Sequence, residues 1–83
     1  MFKWNEFVPS GFEYDYENDK LHNHNLMIDE VIQCFSNNYT IRKNKKYLDR
    51  FKLIGKTDAG KCICLIFQLK KDNVVRIITG WEI

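Results

Sequence analysis

Two histidines, His22 and His24, and some of the cations in the second half of an 83-residue chain are the side chains here that could move protons or hold phosphate. The cations whose spacing matters are Arg50, Lys52, Lys56 and Arg76. Arg50, Lys52 and Lys56 are separated by even steps, and on a β-strand residues two apart share a face. With Gln68 beside them, such a set suffices for RNA cleavage without a metal. The 2′-hydroxyl attacks its own phosphate, a base takes the proton, cations stabilise the dianionic phosphorane, and an acid protonates the leaving oxygen. Histidine titrates near neutrality, and the arginine fork grips phosphate. Exposed cations also simply keep an open face soluble, so the elements that position them decide between the two.

Other chemistries fit less well. His22 and His24 are two apart, as are Cys62 and Cys64, which invites a zinc site. That spacing does not match the usual fingers, and a Cys-x-Cys on an apolar strand suits core packing. Gly55-Lys56-Thr57 looks like the tail of a Walker motif, but the upstream glycine is missing and a hairpin follows in place of a helix. No nucleophile–base triad or paired-carboxylate signature stands out. No metal and no cofactor is expected.

Positioning falls to the run from Tyr47 to Trp81, which reads as a three-strand antiparallel meander. Its turns are Thr57-Asp58-Ala59-Gly60-Lys61 and Lys70-Lys71-Asp72-Asn73-Val74, in each of which the three-residue loop closes on a Gly or Asn able to take φ > 0. A three-residue loop fixes register. Pairing Thr57 with Lys61 sets Arg50 opposite Gln68, Lys52 opposite Ile66 and Lys56 opposite Cys62. Pairing Lys70 with Val74 sets Gln68 opposite Arg76 and Ile66 opposite Ile78. One face then collects Phe51, Leu53, Ile63, Leu65, Phe67, Leu69, Val75 and Ile77. The other carries Arg50, Lys52, Lys56, Gln68 and Arg76, with Ile54, Cys62, Cys64, Ile66 and Ile78 between them. A sheet so divided is covered by helices on its apolar face alone.

The cover is expected upstream. Residues 1–11 read as an N-terminal strand or arm that turns at Pro9 and Gly11, and Phe12-Glu13-Tyr14 as a short extended piece. Asp15 is a good N-cap for a short helix from Tyr16 to His22. A second helix starts at Ile28, with Val31, Ile32 and Phe35 on one face, and ends at Ser36-Asn37-Asn38. The basic stretch Tyr39 to Lys46 reads as a solvated loop that could extend a phosphate-binding surface. At 83 residues the chain is a single domain, and at 45% apolar it is a globular one. A net charge of +2 means that nucleic-acid binding must come from how charge is arranged. Three cysteines and no secretory signal place the protein in a reducing cytoplasm, a prokaryotic one. No apolar run could span a membrane.

The order of residues resembles the BrnT toxins, small RelE-like ribonucleases of type II toxin–antitoxin systems. Leu21 and Asn23-His24-Asn25-Leu26, followed by Ile28-Asp29-Glu30-Val31 and Phe35, resemble the family's N-L-x-K-H-G-V-x-F-x-x-A-x-x-x-F stretch. Arg50-Phe51-x-x-Ile54-Gly55-Lys56-Thr57-x-x-Gly60 looks like its R-[FY]-x-x-I-G-x-T-x-x-G, and Arg76-Ile77-Ile78 like the start of R-I-I-S-A-R. The family's F-x-W-D can be laid on Phe2-Lys3-Trp4-Asn5 or on Phe12-Glu13-Tyr14-Asp15. The resemblance runs from Phe12 to Thr79 and implies an α+β fold, β-α-α-β-β-β, with two helices on one face of an antiparallel sheet. It implies His24 as the proton-transfer residue and Arg50 and Arg76 as phosphate ligands, with Lys20, Lys52, Lys56 and Gln68 binding RNA. It also implies an RNA substrate and a cognate antitoxin of ribbon-helix-helix type, bound in a hetero-oligomer. Asn23, Asn25 and Trp81 stand where the family has lysine, glycine and arginine. Trp81 favours an alternative, an inactive module of the same fold that binds RNA or protein.

Overall fold

The computed structural model describes residues 4–83. Five strands form one sheet: β1 (Gly11–Tyr14), β2 (Tyr39–Lys43), β3 (Arg50–Lys56), β4 (Cys62–Lys70) and β5 (Val74–Glu82), in the order β1-β5-β4-β3-β2. Every neighbouring pair is antiparallel except β1 with β5. A nine-residue helix, α1 (Ile28–Ser36), crosses the apolar face.

Both turns of the meander have the expected register. Thr57 N–H donates to Lys61 O at 3.0 Å, and Gly60 takes φ 87°. Arg50 faces Gln68, Lys52 faces Ile66 and Lys56 faces Cys62. Lys70 faces Val74 across Asp72 and Asn73, both at positive φ, and Gln68 faces Arg76. One step of the expected register fails. A bulge in β5 makes Ile66 face Thr79, not Ile78. The extra residue, Ile78, shifts all that follows by one place. Gly80 therefore lies on the covered face, and Trp81 on the open one, opposite Cys64.

The core is the predicted face. Leu53, Ile63, Leu65, Phe67, Val75 and Ile77 are buried, and Val31, Cys34 and Phe35 of α1 close over them. Phe67 is the centre: its ring meets those of Trp4, Phe35 and Phe51 at 5.9, 5.3 and 5.6 Å. Nine residues are too few for a helix that stands alone, and α1 is tied to the β3–β4 turn. Glu30 accepts the Met27 N–H at 3.1 Å and pairs with Lys61 at 2.9 Å. Gln33 accepts the Asp58 N–H, and Asn37 donates to Lys56 O.

Two expectations about the upstream half are corrected. Tyr16–His22 is not a helix, so one helix covers the sheet among the described residues where two were expected. Asp15 does cap, accepting the Glu17 and Asn18 N–H groups, but Asp19 goes to φ 26° and the chain continues in turns to a 3₁₀ turn at His22–His24. Short polar side chains that bond their own backbone favour turns over helix. Tyr39–Lys43 is an edge strand, not a loop. Tyr39 and Ile41 turn inward while Thr40 and Arg42 face out, and cations suit an exposed edge. Of residues 1–11, the described part up to Ser10 is an arm with a 3₁₀ turn (Trp4–Glu6), which lays Trp4 and Phe7 on the core. Residues 1–3 lie outside the described part.

Candidate nucleic-acid interface

The sheet face away from α1 carries a row that crosses four strands: Glu13, Arg76, Gln68 and Arg50. Strand alternation puts them there, and local contacts hold each one. Asp49 accepts the Gln68 amide N–H at 2.6 Å. The Arg50 guanidinium lies 4.3 Å from the centre of the Tyr47 ring, a cation–π contact. Glu13 takes Lys70 Nζ at 3.0 Å and Arg76 Nη1 at 3.5 Å. Its hydrogen bond from Lys70, and then Arg76, hold its carboxyl below the usual value. Lys52 stands one pair along from Arg50, beside Arg42 of β2, and Lys56 lies at the far end of β3. Both lysines are exposed.

The segment after β1 forms the rim of this face. Tyr14 anchors it: its hydroxyl donates to Asp19 Oδ1 at 2.6 Å and accepts the Leu21 N–H at 2.9 Å. Burial, with the bond to Asp19, pushes its phenol up to about 12. Leu21 is fully buried against Gly80. Lys20, exposed, lines a cleft of about 120 Å³ with Arg76, Asp15 and Ile78. The next turn brings His24 to Trp81, ring centres 6.3 Å apart.

The predicted residues thus fall into two groups. Arg50, Gln68 and Arg76 share a row, and Lys20 joins it at the β5 end. His24 stands with Trp81, in the row of Cys64. Cys64 and Gln68 are four residues apart on β4, about 13 Å at the usual rise. Among the described residues, no three of His, Cys, Asp and Glu gather into a set that could hold a metal. A cation row with a forked donor at each end and an amide between is suited to a phosphodiester.

No family's sequence profile matches the chain, and no curated protein matches it. Among solved structures, the Brucella abortus ribonuclease toxin BrnT superposes with a TM-score of 0.63, over 88% of this chain and 95% of that one, at 15% identity. The fold is that of BrnT. This chain's sheet, with one covered face and one open face, is what the meander predicts, although among the described residues one α-helix covers it where two were expected, joined there by Trp4, Phe7, Leu21 and Leu26.

Four residues reach this chain's open face by routes that the sequence does not make plain. Glu13 reaches Arg76 through a parallel pairing that no local pattern announces. Arg42 reaches the face because Tyr39-Thr40-Ile41 alternates as a strand does, a signal hidden by the lysines after it. Tyr47 supports Arg50 from the loop. Trp81 arrives by the bulge. Among the described residues no helix is long and apolar enough to cross a membrane.

Proposed function

We propose that this chain is the toxin of a type II toxin–antitoxin pair, an endoribonuclease that cleaves mRNA in the cytoplasm without a metal ion. The observation that carries the reading is the row Arg50–Gln68–Arg76 on the uncovered basic face of a BrnT fold. In this reading Arg50 and Arg76 hold phosphate and Gln68 bridges them. Lys20 assists at the cleft beside Arg76, while Lys52, Lys56 and Arg42 draw RNA onto the sheet. The phosphate that is cut sits on the β5 side, between that cleft and His24, which transfers the proton. A cognate antitoxin of ribbon-helix-helix type covers the face in a hetero-oligomer and silences it.

Expression of the chain alone in bacteria tests this. Growth slows, bulk mRNA shortens, and the antitoxin restores growth. The purified protein leaves 2′,3′-cyclic phosphate ends and retains activity in EDTA. Normal growth at high soluble expression would remove the toxin reading, and activity lost to EDTA and restored by zinc or magnesium would remove metal independence. A second reading, RNA binding without cleavage, is favoured by one contact: the neighbour of His24 is Trp81 and not a cation. Tight RNA binding with no new ends would select it.

A further inference from the structure

We infer that Trp81 and Tyr47 are base-stacking platforms at opposite corners of the open face, so that the protein takes single-stranded RNA with its bases laid on the sheet. This rests on the RNA-binding reading above. Among the described residues no helix lies over the sheet between the two rings, and Ile54, Cys64 and Ile66 form an apolar floor flanked by Lys52, Arg50 and Arg76. An uncovered floor of this kind would be left wet by a partner that offered phosphates alone. A single strand supplies both halves, because its phosphates meet the cations while its flat apolar bases meet the floor and rings. Cys64 shows how the floor is built: it is 2% exposed although it points to the open side, shielded between its partners Ile54 and Trp81.

Each ring already has a π or cationic neighbour. Trp81 has His24 at 6.3 Å, and Tyr47, 43% exposed, has the Arg50 guanidinium at 4.3 Å. Tyr47 also has the Lys46 ammonium 5.5 Å from its ring centre, and in the proposal these neighbours brace the rings while a base stacks on the surface each leaves to solvent. Arg50, which meets the Tyr47 ring, and Trp81 stand two strands and four residues apart, roughly 16 Å on the diagonal. That is the reach of a short single-stranded segment, and a duplex would not lay its bases on either ring. Sequence preference would then come from stacking strength and not from base-edge readout.

The test is a binding titration with single-stranded 2′-O-methyl RNA, which cannot be cleaved by 2′-hydroxyl attack, across a range of salt. Trp81→Ala raises Kd roughly 5- to 150-fold, the range for one lost base stack, and leaves the salt slope unchanged. Trp81→Phe stays close to the wild type. Arg50→Ala instead lowers the slope by about 0.7, one phosphate contact on a single strand. Intact RNA quenches Trp81 fluorescence in the wild-type protein, and an abasic probe binds more weakly. The other tryptophan, Trp4, lies on the covered face among Phe7, Phe51 and Phe67. The quench and the abasic comparison need no variant, so they decide the matter even if Trp81→Ala fails to fold. If intact and abasic probes bind alike without quenching while Arg50→Ala still weakens binding, the stacking inference is wrong and the RNA reading survives. If the wild-type protein binds neither probe, both fall, and a protein partner for the face replaces them.

Discussion

Replacing Gly80 by alanine gives a sign test of the bulge in β5. With the bulge, Gly80 lies inside, where an added methyl would sit 3.2 Å from Leu21 Cδ2 and 3.3 Å from both Cys64 O and Leu65 Cβ. The leucine tip can yield, but a backbone oxygen and a Cβ on the central strand cannot move far. Overpacking of this kind costs about 1–3 kcal/mol. Without the bulge, regular pairing would turn residue 80 to the open face, and Gly→Ala would stabilise by about 0.4–1 kcal/mol through the unfolded chain. The two geometries thus predict opposite signs. Urea unfolding of Gly80→Ala reads the difference directly. Leu21→Ala, which removes the flexible one of the three obstacles, costs about 2–5 kcal/mol alone. Combined with Gly80→Ala it should cost less than the sum by at least about 0.5 kcal/mol. Because Leu21 anchors the rim that presents Lys20 and His24, Gly80→Ala should also weaken RNA binding. A stabilised Gly80→Ala protein would refute the bulge, and with it the place of Trp81 on the open face.

Arg50→Ala and Arg76→Ala should lower RNA binding while changing stability by no more than about 0.5 kcal/mol, whereas Phe67→Ala, at the centre of the aromatic cluster, should cost about 3–5 kcal/mol; parallel urea and RNA titrations separate them. The Glu30 carboxyl is held below its ordinary value of 4.5 by Lys61 and then by the Met27 N–H, so its contribution is present above that value and is lost as pH falls through the lower, folded-state one. Glu30→Gln should flatten the acid limb of a stability–pH curve. Tyr14 works in the other direction: its folded value, about 12, exceeds the ordinary 10, so its contribution is complete below pH 10 and is lost as pH rises toward 12. Tyr14→Phe should remove that alkaline window and cost about 1–3 kcal/mol at neutral pH, since the Leu21 N–H loses its acceptor.

The residues that spoke plainly in the sequence were those whose partners lie close along the chain. Thr57 to Lys61 and Lys70 to Val74 carry their own geometry, so turn length alone aligns Arg50, Gln68 and Arg76. The helix at Ile28 announces itself by spacing and by Glu30 in its first turn. What stayed hidden depends on distant partners or on a local choice among equivalents. Ile77, Ile78 and Thr79 are all good strand formers, and nothing in their types says which one is extra. The pairing of Glu13 with Arg76 joins segments with no common signal. Asp15 promised a helix and delivered a turn, because the Asn18 amide ties down the Asp15 carboxylate and Asp19 turns its own carboxylate back onto the His22 N–H.

The placement of β5 between β4 and β1 also sets an order of events for a chain leaving the ribosome. Gly11 waits for Val74, 63 positions later, and among the described residues β1 has no other neighbour in the sheet. The β3–β4 hairpin can form early from contacts a few residues apart, whereas the β1–β5 pairing must first close a long loop, the slower kind of step. The β4–β5 hairpin sets Arg76 beside Gln68 only once β5 has been made, and until the β1–β5 pairing closes the segment that carries Lys20 and His24 is not held at the β5 edge. Under the proposed function, a nascent chain is therefore harmless to the messenger that encodes it until β5 has been made and paired.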